Sequence, residues 1–378
     1  MRILFWCGDF YPNIGGARSV TDDLARTLVQ HGHQITILSR WQPGFPLSEA
    51  RNGYQIVRFK FPVLFEKLII GRKFALGSPA VLVGVAKLLG HFDCVSIGLL
   101  DLSVIYLLLL RPFFPFRLAL SLHGADTRKL PRTERSYRAI LKWTLRAADV
   151  VTPVSEELAA EAAAYLPSSS RKMCVIPNGV DADGIRQAST WQHARNYIVF
   201  VGRLVPEKDL ETLIAAFSLT MARIPDVDLL ICGPGASSSS SASDRIRFLG
   251  CVEREKAWSV IKGALFLVLP SRTEGHPIVA LEALAAGVPV IGSRIPAIAR
   301  LVQHGVNGAL FSPGDAAELA RLIELYSTDR AALRRLIAGA RDTDIGEFAL
   351  DRLVERHLEV YRQDGLSSFH YSATAKAK

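Results

Sequence analysis

The strongest constraint on the fold is an alternation that begins at the first residues and repeats along the chain. RILFWC (2–7) is a short apolar run that stops at Gly8, and PNIGG (12–16) makes a glycine loop. SVTDDLARTLVQHGH (19–33) then carries Val20, Leu24, Thr27 and Leu28 at helical spacing, with Gly32 placed to end the helix, and QITILSR (34–40) is apolar again. Short apolar runs of this length read as strands buried on both faces. Parallel neighbours of that kind need a crossover between them, here a helix. This is a mononucleotide-binding type of unit. Further strands are predicted at YQIVRF (54–59), CVSIG (94–98), RLALSLHG (117–124), DVVTPV (149–154) and KMCVIPNG (172–179).

A second cycle follows. YIVFVGRL (197–204) is a strand running into a loop, and LETLIAAFSLTMARIP (210–225) is an amphipathic helix closed by proline. VDLLICGPG (227–235) is strand then glycine turn, and RIRFLG (245–250), LFLVLPS (265–271) and PVIGS (289–293) supply more strands. Two successive βα cycles in 378 residues predict an α/β chain of two Rossmann-like domains facing a central cleft, with the break near 180–195. The divisions are 1–185, 186–344, a long amphipathic helix within 345–365 (IGEFALDRLVERHLEVYRQ, 345–363) and a tail, 366–378. The serine-rich stretch 236–244 reads as a loop.

Charge and cysteine usage narrow the setting. Residues 1–185 hold 22 Lys and Arg against 15 Asp and Glu, whereas the rest holds 23 against 21. Within 51–146 the balance is 16 basic to 5 acidic. The basic residues are interleaved with apolar bulk in FKFPVLFEKLIIGRKFAL (59–76) and RPFFPF (111–116), which favours an anionic membrane surface over nucleic acid; a solvated face beside ordinary core is the plainer reading. IGLLDLSVIYLLLL (97–110) is too short for a span and carries Asp101. Five cysteines stand singly, with no CxxC pair, which argues against a disulfide scaffold or a zinc site and for a reducing compartment. The N-terminus lacks the pattern of a secretory signal, so the expected location is cytoplasmic, with peripheral attachment to the inner face of the membrane.

Three stretches carry chemistry. Gly15 and Gly16 lie between the first strand and its helix, where glycine lets backbone approach a ligand and a helix N-terminus favours an anion; a tight turn alone would use the same pair. The pattern is not GxGxxG, so the nicotinamide fingerprint is absent. GRLVPEKDLETL (202–213) puts Arg203 and Lys208 just past a strand end, where a diphosphate would sit. TEGHPIVALEALAAGVPV (273–290) puts Glu274 before a helix that starts near Pro277, and Glu282 about five residues into it, roughly 7–8 Å along the axis. A carboxylate in so apolar a helix is unfavourable without a partner. A ribose beside a phosphate at the helix N-terminus would provide hydroxyl donors to Glu282, and Glu274 would face whatever lies beyond the phosphates.

Taken in order, GG (15–16), SLHGAD (121–126), IPNGVD (176–181), GRLVPEK (202–208), FLG (248–250), EGHPIVALEALAAGVPV (274–290) and GVNGALFSPGD (305–315) resemble the retaining glycosyltransferases of family 4 over nearly the whole chain. The resemblance implies a GT-B fold, with an acceptor-binding N-terminal domain, a donor-binding C-terminal domain and a final helix crossing back to the first. It implies a nucleotide-diphosphate sugar donor of UDP, GDP or ADP type. The acceptor would be a glycan or a lipid-linked precursor of the cell envelope, and no metal or other cofactor would be required. Arg203 and Lys208 would neutralise the diphosphate in place of a metal. Glu282 would hold the ribose, and Glu274 the donor sugar, with the backbone of Gly275, His276, Pro277 and Ile278 around it. Gly15 and Gly16 would meet the diphosphate, His123 would sit near the transferred sugar, and Asp126 near the acceptor.

The chain departs from the family's pattern in places. The segment after CGPG is short and serine-rich, Arg300 stands where many relatives carry an acid, and His276 stands where an apolar residue is common. His304 and, in the plainer reading, His276 are structural. Two other functions use the same residues: a nucleotide-sugar epimerase without an acceptor, and a non-catalytic sugar-nucleotide-binding homologue. Retention of Glu274, Glu282, Arg203 and Lys208 speaks against the latter.

Overall fold

The computed structural model describes residues 1–11, 15–61, 79–128, 135–235 and 243–362. Residues 12–14 of the glycine loop, most of the 59–76 face, most of the serine-rich stretch and the tail from 363 lie outside the described residues. The chain forms two compact units: Met1–Asn178 together with the C-terminal helix Leu350–Arg362, and Gly179–Ala349.

The first unit holds a seven-stranded sheet, β1 (Arg2–Cys7), β2 (Gln34–Arg40), β3 (Ser48–Arg51), β4 (Tyr54–Phe59), β5 (Cys94–Leu99), β6 (Arg117–Leu122) and β7 (Val150–Pro153), in the order β3-β4-β2-β1-β5-β6-β7. All pairs are parallel except β3 with β4. The two-residue side-chain period builds both faces. Leu4 and Trp6 of β1 join one apolar cluster, while Ile3, Phe5 and Cys7 join the other. The helix Gly16–Gln30 crosses from β1 to β2 and ends where Gly32 adopts φ +79°, with its N–H donating to the Val29 carbonyl and that of His33 to Leu28. That is the Schellman stop expected of a glycine there.

The segment 172–179 is not the strand its sequence suggests. Only Met173 pairs, with Val151, although Cys174 and Ile176 donate to the carbonyls of Val151 and Pro153. The next ladder bond would need an N–H on Pro153, which proline lacks. The C-terminal helix also starts later than its sequence suggests, at Leu350, because a 3₁₀ turn occupies Gly346–Phe348. Its residues Leu353, Val354, Leu358, Val360 and Tyr361 are buried in the cluster beneath β1 and β2.

The second unit holds six parallel strands, β8 (Asn196–Val201), β9 (Val227–Cys232), β10 (Ile246–Gly250), β11 (Leu267–Leu269), β12 (Val290–Ser293) and β13 (Gly308–Phe311), in the order β10-β9-β8-β11-β12-β13. Both sheets therefore reverse direction beside their first strand, between β1 and β5 and between β8 and β11. Ligands of doubly wound sheets bind outside the carboxyl ends at such a reversal. Sequence patterning overlooked β3, a short polar edge strand (SEAR), and β13, whose four residues lie inside a glycine-rich stretch.

Candidate active site

In the second unit the loops after β8, β9 and β11 are tied together by backbone. Gly202 donates its N–H to Cys232 at 2.9 Å, and Leu204 donates to Pro234 at 2.9 Å. Gly233, at φ +150°, lies so close that a Cβ there would come within 1.8 Å of the Gly202 carbonyl oxygen. The chain then makes a 3₁₀ turn over Pro206–Lys208, and Asp209 takes a left-handed φ of +50° before the helix Leu210–Thr220. Arg272 locks this turn to the loop after β11: its N–H donates to the Glu207 carbonyl at 2.9 Å and its Nε sits 3.0 Å from Asp209 Oδ2.

That scaffold brings Lys208 Nζ to 2.5 Å from Glu274 Oε1, and Ser271 Oγ donates to the same oxygen at 2.7 Å. The pair is largely shielded, its side chains 19% and 10% exposed. Arg203 is exposed on the same loop as Lys208. Gly275 and His276 lead to the helix Ile278–Ala285, with Pro277 just before its first residue and no side-chain cap. The His276 ring lies 5.4 Å from Phe348, and burial, with the charge of Arg300 in support, pushes its pKa down to about 4.

Glu282 is buried at 9% exposure and has protein partners that its sequence context did not reveal. Trp258 Nε1 donates to Glu282 Oε1 at 2.9 Å, and Arg254 Nε lies 3.6 Å from the same oxygen. Arg254 and Trp258 are four apart on the helix Arg254–Gly263, hence on one face, but no sequence signal ties that face to Glu282. His304 is structural, its Nδ1 accepting the Leu310 N–H at 3.0 Å and so holding β13.

In the first unit Gly15 precedes the helix Gly16–Gln30, whose first hydrogen bond runs from Ser19 N–H to the Gly15 carbonyl. Arg18 reaches back from that helix to the Asp9 carboxylate and carbonyl. At the sheet reversal Gly8 meets Asp101, leaving no room for a side chain at Gly8. His123 directly follows β6 as a half-buried residue, and its Nδ1 is out of solvent contact and without a hydrogen bond. Burial, with His357 adding in the same direction, pushes the His123 pKa down to about 4. His123 and His357 both line a small cavity of about 20 Å³, room for a single water. Asp126 is 1% exposed, and its two oxygens accept the backbone N–H groups of Leu100 and His123 at 3.2 and 3.1 Å. It thus joins the ends of β5 and β6 as a scaffold group. Among the described residues no group of three His, Cys, Asp or Glu is arranged to hold a metal ion.

Two parallel α/β units, each with its polar loops gathered at a sheet reversal, define the GT-B class of sugar-nucleotide enzymes. The matched families agree: residues 14–183 match Glycosyltransferase Family 4, and residues 181–343 match Glycosyl transferases group 1. The chain belongs to this family of GT-B glycosyltransferases, which act on nucleotide sugars. It is 25% identical to a glycogen synthase of Mycobacterium tuberculosis over 96% of this chain and 94% of that one. It is 26% identical to a GDP-mannose-dependent alpha-(1-6)-phosphatidylinositol monomannoside mannosyltransferase of the same species, covering 96% and 98%. Among solved structures, sucrose-phosphate synthase from Thermosynechococcus elongatus superposes with a TM-score of 0.77 at 22% identity, covering 96% of this chain and 98% of that one. Anabaena HepE in complex with UDP and glucose superposes with a TM-score of 0.76 at 18% identity, covering 95% and 99%.

Proposed function

We propose that this chain is a retaining, metal-independent glycosyltransferase that moves a sugar from a nucleotide-diphosphate sugar to a glycan or lipid-linked acceptor in envelope glycan synthesis. The observation that carries the reading is the shielded Lys208–Glu274 pair, with Arg203 on the same loop, at the carboxyl mouth of β8 and β11. Arg203 and Lys208 neutralise the donor diphosphate as it takes on charge. Glu274, with the backbone of Gly275–Ile278, holds the donor sugar, and Glu282 the ribose. Gly15 and Gly16 offer backbone to the diphosphate. His123, neutral near pH 7, acts as a hydrogen-bonding group to the transferred sugar. Asp126 holds the His123 backbone.

In the step itself the bond from the anomeric carbon to the phosphate oxygen breaks, and the acceptor oxygen bonds to that carbon on the same face. The acceptor proton passes to the leaving diphosphate, so the retained configuration needs no second carboxylate. The relatives' names support a sugar-nucleotide donor with a glycan or inositol-lipid acceptor.

The test is steady-state transfer with purified protein. Glu274→Gln and Arg203→Ala are each expected to lower kcat by roughly 10²-fold or more, in line with loss of a charge-stabilising group. Unchanged transfer in both variants would overturn the assignment, and a product formed from donor alone would point to an epimerase.

The first unit is also proposed to dock on an anionic, cytoplasmic membrane leaflet. Among the described residues no helix is long and apolar enough to cross a membrane. The support for docking is a surface that combines apolar and basic groups. Phe113 is 76% exposed beside the helix Arg135–Ala147, which exposes Trp143 among Arg135, Arg138, Lys142 and Arg146.

A further inference from the structure

The donor reading makes Glu282 the ribose ligand, and two side chains of a neighbouring helix hold Glu282 in this chain. Its carboxylate sits in an apolar helix among Ala280, Leu281, Ala283 and Leu284, all buried. A buried carboxylate without fixed partners would be unfavourable and free to turn. The helix Arg254–Gly263 supplies two partners from one face. Trp258 is 5% exposed within the apolar cluster of this unit and aims its indole N–H at Glu282 Oε1, 2.9 Å away. An indole N–H donates only, so this contact fills one lone pair and sets the plane of the carboxylate. The Arg254 guanidinium lies over the Trp258 ring, 4.7 Å from its centroid, with Nε 3.6 Å from the same oxygen. Cation, ring and carboxylate thus brace one another.

We propose that Trp258 is a positioning residue of the donor site: it orients Glu282 before the nucleotide arrives, and the ribose hydroxyls meet a carboxylate already turned towards them. This rests on Glu282 binding the ribose. Trp258 touches the carboxylate and not the reacting atoms, so its loss affects donor binding and leaves the chemical step intact. Preorganised partners raise affinity by removing the ordering that binding would otherwise require.

The experiment compares wild type with Trp258→Phe, Trp258→His and Glu282→Gln. The ligand is whichever of UDP, GDP and ADP most raises the melting temperature of the wild type, titrated alongside its 2′,3′-dideoxy counterpart. Wild type is expected to bind the ribonucleotide roughly tenfold or more tighter than the dideoxy form, the scale of hydrogen bonds to a charged group. Trp258→Phe is expected to lose most of that discrimination and raise the donor KM about tenfold, with kcat at saturating donor within about twofold. Trp258→His keeps a ring N–H at the same bond distance from Cβ and is expected to restore it. Should the Phe variant fail to fold, the His variant and Glu282→Gln carry the test. Full ribose discrimination in Trp258→Phe, or its loss in a folded His variant, overturns the proposal while the ribose reading stands. Full discrimination in Glu282→Gln overturns the ribose reading itself.

Discussion

Three histidines, His123, His276 and His357, have pKa values that burial pushes down to about 4. Their ordinary value is near 6.5. Between those values the unfolded chain takes up protons that the folded chain refuses, so stability is full above about pH 6.5 and falls as pH drops towards 4. His357, 5% exposed with its Nδ1 2.9 Å from the Leu353 carbonyl oxygen, is the least exposed of the three. Denaturant unfolding at pH 7 and at pH 5 is expected to differ by about 2 kcal/mol for each such site. His357→Phe is expected to lower that difference, while an unchanged difference would assign the acid sensitivity elsewhere. Residues of the candidate site mark the limit of sequence reading. Glu274 and Lys208 were legible because glycine and proline punctuate two strand ends and leave charges beside them. Trp258 and Arg254 were not, because their partner lies 24 and 28 positions away on another helix and only packing brings the three together.

At the scale of elements, most strands that are short, apolar and buried on both faces were legible, β13 being the exception because its four residues lie in a glycine-rich stretch. The misses have local causes: β3 is polar and exposed at an edge, and the stretch after Lys172 is extended but loses its ladder to Pro153. The helix Arg135–Ala147, which the sequence reading did not single out, has two distinct faces. Ile140, Leu141, Thr144 and Leu145 face inward, while Arg138, Lys142, Trp143 and Arg146 face out. Basic residues around an exposed tryptophan suit an anionic interface, each cation near such a surface contributing about 1 kcal/mol. Liposomes with anionic lipid are expected to float the protein and neutral liposomes to float it weakly. Reversing Lys142 and Arg146 to Glu is expected to abolish flotation without changing transfer to a soluble acceptor. Equal failure to float with both lipids would dismiss membrane docking.

At the scale of the whole molecule, the path of the chain has a thermodynamic consequence. The first unit is discontinuous: the chain leaves it at Asn178 and returns to it at Leu350. The returning helix buries Leu353, Val354, Leu358, Val360 and Tyr361. Tyr361 also donates its hydroxyl to Ser96 Oγ at 2.9 Å, and Arg117 Nε donates to the Val360 carbonyl at 2.6 Å. Five buried side chains of this size contribute roughly 10 kcal/mol of transfer free energy. That is comparable to the entire stability of an ordinary domain, about 5–15 kcal/mol. The second unit, in contrast, is one continuous stretch with its own two apolar clusters. A chain ending at Ala349 is therefore expected to lose cooperative unfolding of residues 1–178 while residues 179–349 still unfold as a unit. The isolated fragment 179–349 is expected to fold and to gain thermal stability from a nucleoside diphosphate, because binding to the native state alone raises its apparent stability. Circular dichroism melts of the full chain, the truncated chain and the fragment, each with and without UDP, GDP or ADP, measure this. Cooperative unfolding of residues 1–178 without the helix would show that β1 and β2 do not depend on it.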